Sequence, residues 1–153
     1  MLIIMKIMYA ARMARHDLLR PCQALAKYMT AWTPTEDKKL HKLVSYIQST
    51  LKIRMIAWCG DHRSKVSIGM YSDSDYAGDA KASFSTSGCS VKIEGPNTSF
   101  PIAAMSKKQG AVSHSSTEAE IVALDMGLRS EGLPALTALE TMTKCKIKLN
   151  IYE

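Results

Sequence analysis

Carboxylates stand where metal ligands would be expected: Asp73, with Asp75 as its alternative, at a strand tip, and Glu120, with Glu118 as its alternative, in the first turn of a helix. Asp73 ends the segment Val66–Asp73, in which Val66, Ile68 and Met70 alternate with Ser67, Gly69, Tyr71 and Asp73. Period-two alternation of this kind marks a half-buried strand, so Asp73 is a carboxylate at a strand tip. Glu120 lies in Ser115-Ser116-Thr117-Glu118-Ala119-Glu120, where Ser115 precedes Glu118 and Thr117 precedes Glu120 at capping-box spacing and an apolar run follows. A helix therefore starts here, with Glu120 near its beginning. A strand-tip carboxylate and a first-turn carboxylate suit Mg²⁺ (or Mn²⁺), because such an ion takes few protein carboxylates and completes its shell with water or phosphate oxygens. Asp75 shares the parity of Asp73 and is the alternative for the strand role. Glu118 is the alternative for the helix role, with a competing use in capping backbone N–H groups. Asp79 reads as a turn former.

The elements that must position these residues are readable in outline. Residues near 2–15 form a helix, and Asp17 is placed to cap a second one that buries Leu18, Cys22, Leu25 and Met29. Trp32-Thr33-Pro34 breaks it, and Thr33-Pro34-Thr35-Glu36 begins a third helix with a cap, a proline in the first turn and a glutamate. Its stripe is Leu40, Leu43, Val44, Ile47 and Leu51, with Lys38, Lys39 and Lys42 opposite. Trp58-Cys59-Gly60-Asp61 reads as a turn or linker, giving a helical segment over 1–60 and a main domain over 61–153. In that domain a second strand spans Ser87–Ile93, Glu94-Gly95-Pro96-Asn97 turns the chain, and a third strand spans Ser99–Lys107. The helix from Ser116 is apolar on more than one side, so a central position is expected. Gly132 and Pro134 kink or end it, a further helical piece carries Leu136 and Leu139, and Ile147–Tyr152 alternates again. A strand reached through a helical crossover should pair in parallel with an earlier one.

At 153 residues and 46% hydrophobic composition the chain can pack one domain with a small helical appendage. The net charge of +6 is uneven: residues 1–65 hold 12 Lys/Arg against 4 Asp/Glu, and residues 66–153 hold 8 against 10. A basic first part beside an acidic second part fits phosphate contacts in one and metal in the other. The expected nucleic-acid contacts are Lys107, Lys108 and Gln109 after the third strand, then an Arg12, Arg15 and Arg20 stripe. Cys22, Cys59, Cys89 and Cys145 show no C-x-x-C spacing, which excludes a disulfide framework or zinc ribbon as the organising feature and fits a reducing compartment. The apolar start Met1–Met8 is too short to span a bilayer, so no membrane partner is expected.

Four motifs in register, Tyr71-Ser72-Asp73-Ser74-Asp75-Tyr76-Ala77-Gly78-Asp79, Ser85-Thr86-Ser87-Gly88, Ser106-Lys107-Lys108-Gln109 and Ser115-Ser116-Thr117-Glu118-Ala119-Glu120, resemble the ribonuclease H domain of copia-type retrotransposon polyproteins. Upstream, Ala11–Leu19 and Leu43–Ile47 resemble the segment that joins reverse transcriptase to that domain. The resemblance implies a ribonuclease H-like α/β fold of three antiparallel strands, a helix and a parallel fourth strand, truncated at the C-terminus and preceded by a helical appendage. It implies two-metal hydrolysis of the RNA in an RNA–DNA hybrid, with Asp73 and Glu120 matching two of the family's four ligands. The chain stops at Glu153, where the family supplies an Asp-Asn pair, so little nuclease activity is expected of it; Glu153 has the opposite strand parity. The implied partners are the hybrid and the reverse transcriptase portion of the same polyprotein, and the implied location is intracellular, in cytoplasm or a virus-like particle. The alternative is a non-catalytic remnant that binds nucleic acid or a partner.

Overall fold

Capping and proline placement decide where the first helices begin and end. A computed structural model describes residues 2–78 and 83–153, so Asp79 lies outside the described residues. The chain forms two compact units, Met1–Met55 and Ile56–Glu153. The first contains α1 (Leu2–Met13), a 3₁₀ turn (His16–Leu18), α2 (Leu19–Ala26) and α3 (Pro34–Ser49). Thr33 Oγ accepts from the Thr35 N–H at 3.2 Å and bonds the Glu36 carboxylate, with Pro34 in the first turn. Ile4, Ala11, Leu18, Leu19, Cys22, Leu25 and Leu43 are buried.

Two local expectations fail here. Asp17 does not cap α2; it is held by the Arg15 guanidinium at 2.8 and 2.9 Å and by the Tyr46 hydroxyl at 3.1 Å. Of the apolar stripe only Leu43 is buried; Val44 of α3 is exposed, and so is Leu51, which lies past the end of the helix. α3 meets its neighbour along a narrow seam, so a wide stripe has nothing to cover its flanks.

In the second unit, alternation becomes a five-stranded mixed sheet. It comprises β1 (Trp58–Cys59), β2 (Ser67–Asp75), β3 (Thr86–Gly95), β4 (Thr98–Lys108), α4 (Ser116–Gly127), a π-helical turn (Leu128–Gly132), α5 (Leu133–Thr143) and β5 (Lys148–Tyr152). The strand order is β1-β4-β3-β2-β5. β2, β3 and β4 are antiparallel, and β5 lies parallel to β2 from Ser67↔Lys148 to Tyr71↔Tyr152. The fold is thus α/β. β1, expected as a turn or linker, pairs antiparallel with β4 through Trp58↔Ser99 and Cys59↔Thr98. Two residues are too few for alternation to declare a strand. Beyond it the Gly60 N–H donates to the Asn97 carbonyl at 2.9 Å, where a Cβ on Gly60 would come within 2.8 Å of that oxygen. Asp61 Oδ2 accepts from the Asn97 N–H at 2.6 Å, which closes the β3–β4 hairpin from outside.

The core lies on one face of the sheet. Ile68 and Met70 of β2, Cys89 and Val91 of β3, and Ile147 are buried against Leu124, Leu128, Leu136 and Leu139. α4 presents Ala119, Ala123 and Gly127 to the strands, a stripe small enough for close approach. As expected, the helix packs against the sheet; of its second apolar face Leu124 and Leu128 lie on the core while Ile121 is 59% exposed. The helical run passes Gly132 and Pro134 without ending, because the wide π turn, in which the Leu133 N–H reaches the Leu128 carbonyl, absorbs the proline. On the other face Tyr71 stacks on Tyr152 with ring centres 4.7 Å apart. There the Tyr71 hydroxyl donates to Glu94 at 2.5 Å, and Lys92 pairs with the same carboxylate at 3.0 Å. Among the described residues no helix is long and apolar enough to cross a membrane.

Candidate functional site

Neighbouring parallel strands deliver their C-terminal ends to the same edge of a sheet, where ligands of α/β proteins bind. β2 and β5 are such neighbours. Asp73 stands near the end of β2, Glu153 follows β5, and α4 begins above the same edge with Glu120 half-buried. The backbone N–H of Ser74 lies close enough to Glu120 to favour its charged form. Its pKa is raised above the ordinary 4.5, first by burial and then by the charges of Asp73 and Glu153, against the pull of the Ser74 N–H. Asp73, Glu120 and Glu153 are therefore within electrostatic reach of one another.

The alternatives have other occupations. Glu118 Oε2 accepts from the His114 N–H at 2.7 Å while its own N–H donates to Ser115 Oγ at 3.1 Å. This carboxylate serves the start of α4. Replacing Ser115 with alanine is expected to lower stability by about 1 kcal/mol, the usual worth of an N-cap. Thermal melting followed by circular dichroism checks this, and an unchanged melting temperature would remove the cap from the account. The Asp75 carboxylate folds over Gly78, leaving no room there for a Cβ, and Ala77 turns with φ 51°.

The expected nucleic-acid contacts separate. Lys107 and Arg12 are exposed. Lys108 lies over the Phe84 ring at 4.0 Å. Gln109 is 2% exposed, so it is not a surface contact; its amide bonds Ser87, Ala119 and Ser113. A buried carboxamide must satisfy its donors and acceptor inside the protein. Arg15 is likewise corrected: with 14% of its side chain exposed, it spends its guanidinium on Asp17, the Thr50 carbonyl at 3.2 Å and Thr50 Oγ1 at 2.9 Å. The internal role of Gln109 had no sequence signal, since a polar residue in a polar run carries no periodicity.

The donors at the edge fit a hard cation. All are oxygens, and the buried Ser74 hydroxyl beside Glu120 has no hydrogen-bond partner among the described residues. Among the described residues no three His, Cys, Asp or Glu side chains form a metal cage. The arrangement therefore suits one ion held by two carboxylates, with water supplying the remaining ligands.

No family model matches the chain, and no solved structure does. A curated relative does: Secreted RxLR effector protein 161 of Plasmopara viticola is 36% identical over 118 residues, which cover 77% of this chain and 78% of the relative. This finding corrects the assignment to a copia-type retrotransposon polyprotein, and with it the hybrid ribonuclease function, the polyprotein remnant and the intracellular location. The four motifs sit largely on residues that build the scaffold, and a scaffold does not fix a function. At 36% identity over most of both chains, this chain belongs to the family of the secreted RxLR effector protein of Plasmopara viticola.

Proposed function

We propose that the chain is a secreted effector built on a ribonuclease H-like sheet, and that it holds one divalent cation, Mg²⁺ or Mn²⁺, between Asp73 and Glu120. The scaffold reading is supported by three antiparallel strands, β4-β3-β2, extended by β5 parallel to β2 after the α4–α5 crossover. The effector reading is supported by the relative's name. One observation carries the cation reading: at the edge shared by the ends of β2 and β5 and the start of α4, Glu120 lies near the Ser74 N–H and the charges of Asp73 and Glu153, beside a buried Ser74 hydroxyl without a partner among the described residues. Like charges gathered at one edge are neutralised either by a proton or by a cation, and a hard ion is the better match for carboxylate oxygens near neutral pH.

Titration with Mn²⁺ at pH 7, read by electron paramagnetic resonance, tests this. The expected dissociation constant is on the order of 1 mM, as for sites with few carboxylates. Asp73→Asn and Glu120→Gln are each expected to weaken binding by about tenfold. Equal affinity in the variants, or no saturable binding by the unaltered chain, overturns the cation reading. Retention of the native protein inside the cells that make it, with none in the surrounding medium, overturns the effector reading.

A further inference from the structure

Gln109 is buried near the cation edge, and its carboxamide is used on three partners. Nε2 donates to Ser87 Oγ at 3.0 Å and to the Ala119 carbonyl at 2.9 Å, while Oε1 accepts from Ser113 Oγ at 3.0 Å. Its backbone N–H donates to the Ser85 carbonyl at 2.9 Å, which fixes the residue to the start of β3. The two Nε2 bonds reach both halves of the edge. Ser87 lies directly across from Ser74 in the β2–β3 register, and Ser74 is the strand-tip residue whose N–H lies near Glu120. Ala119 immediately precedes Glu120. One buried amide thus ties the Asp73-Ser74 strand tip, through its partner strand, to the helical turn that carries the second carboxylate.

We propose that Gln109 is the positioning residue of the Asp73–Glu120 edge: it sets where α4 begins relative to the tip of β2, and so how near Glu120 stays to Ser74 and Asp73. The inference deepens the cation reading and rests on it for its consequence in binding. The first turn of a helix has unsatisfied N–H groups and frays readily, and here its remaining anchor is the Ser115–Glu118 cap. A chelating pair loosened by about 1 Å holds its ion poorly. Ser113 contributes only to Oε1, so its removal leaves both Nε2 ties in place.

The test compares Gln109→Leu, which keeps the volume and removes the three side-chain bonds, with Ser113→Ala and with Met70→Ala, a core change away from the edge. Two readouts are taken on the full chain at a temperature where circular dichroism shows every variant folded: Mn²⁺ affinity and hydrogen exchange of the Ser74 amide. Gln109→Leu is expected to weaken Mn²⁺ binding about tenfold and to speed Ser74 exchange about tenfold, leaving the Val91 amide unchanged. Ser113→Ala is expected to stay within about twofold of the parent in both readouts; Met70→Ala, which destabilises the whole sheet unit, is expected to leave Mn²⁺ affinity within about twofold and to speed Ser74 and Val91 exchange alike. Unchanged Ser74 exchange in Gln109→Leu overturns the inference, and so does an acceleration shared equally by Val91, which is the pattern of a general loss of stability as in Met70→Ala. If the parent binds no Mn²⁺ but Ser74 responds to Gln109→Leu alone, the positioning role stands and the cation reading falls.

Discussion

Met70→Ala is expected to cost the sheet unit about 2–5 kcal/mol, the range for removing a large buried apolar side chain from a core that closes incompletely behind it. Met70 is fully buried in β2, and its sulfur lies under the helical run where that run is thinnest. At about 4–8 °C per kcal/mol for a domain of this size, thermal melting should show a fall of roughly 8 °C or more. The glycines above it sharpen the prediction. A Cβ on Gly132 would come within 2.8 Å of Met70 Sδ, and one on Gly127 within 2.9 Å of Cys89 Sγ and 3.1 Å of Cys89 Cβ. Each alanine substitution alone should cost about 1–3 kcal/mol by overpacking. Truncating Met70 vacates the space that Gly132→Ala needs, so this double variant should lose less than the two single variants together, by about 0.5–3 kcal/mol. Gly127→Ala meets the short, stiff Cys89 side chain and should gain little relief from Met70→Ala. Strict additivity of Met70→Ala and Gly132→Ala would show that the methionine is not what keeps position 132 small.

The parts of this architecture that were readable from residues are those in which one local rule acts alone. Alternation from Val66 to Asp73 gave the central strand, and the capping box at Ser115 gave the start of α4. The crossover rule gave β5 its parallel partner. Where two rules competed, the sequence misled. Asp17 looked like a cap but had a stronger partner in Arg15, and both residues were thereby removed from their expected roles. Gln109 sat beside two lysines and looked like part of a basic contact, yet its amide is buried under α4. The same ambiguity lies behind the functional correction. Ser85 takes the Ala77 N–H at 3.1 Å, Ser87 and Gln109 bond each other, and Ser115 and Glu118 cap α4. Three of the four motifs thus hold residues that the scaffold itself requires. Such letters report how a chain folds before they report what it does.

Glu120→Gln is expected to leave the protein at least as stable as its parent at pH 7, with the advantage vanishing below pH 4.5. The folded pKa of Glu120 lies above 4.5 because of burial and of the charges on Asp73 and Glu153. The stability linked to its protonated form is therefore fully present below 4.5 and is lost as pH rises through the folded value. Glutamine, neutral throughout, escapes that loss. Asp61 and Glu94 behave in the opposite sense. Burial opposes their ionisation, but hydrogen bonds from Asn97 and Thr98 to Asp61, and from Tyr71 and Lys92 to Glu94, outweigh it and lower both pKa values. Their contribution is present above the ordinary carboxylate range and lost on acidification, opposite in sign to that of Glu120. A cation reverses the cost at Glu120. With 10 mM Mg²⁺ and a dissociation constant on the order of 1 mM, the parent should gain about 1.4 kcal/mol at pH 7, a rise of roughly 6–11 °C in melting temperature. At pH 4 Glu120, whose pKa lies above 4.5, carries a proton and the gain should shrink; in Glu120→Gln it should be largely absent at either pH. A Mg²⁺-induced rise of the same size in Glu120→Gln at pH 7 would place the ion elsewhere on the molecule and leave the Asp73–Glu120 edge without its ligand.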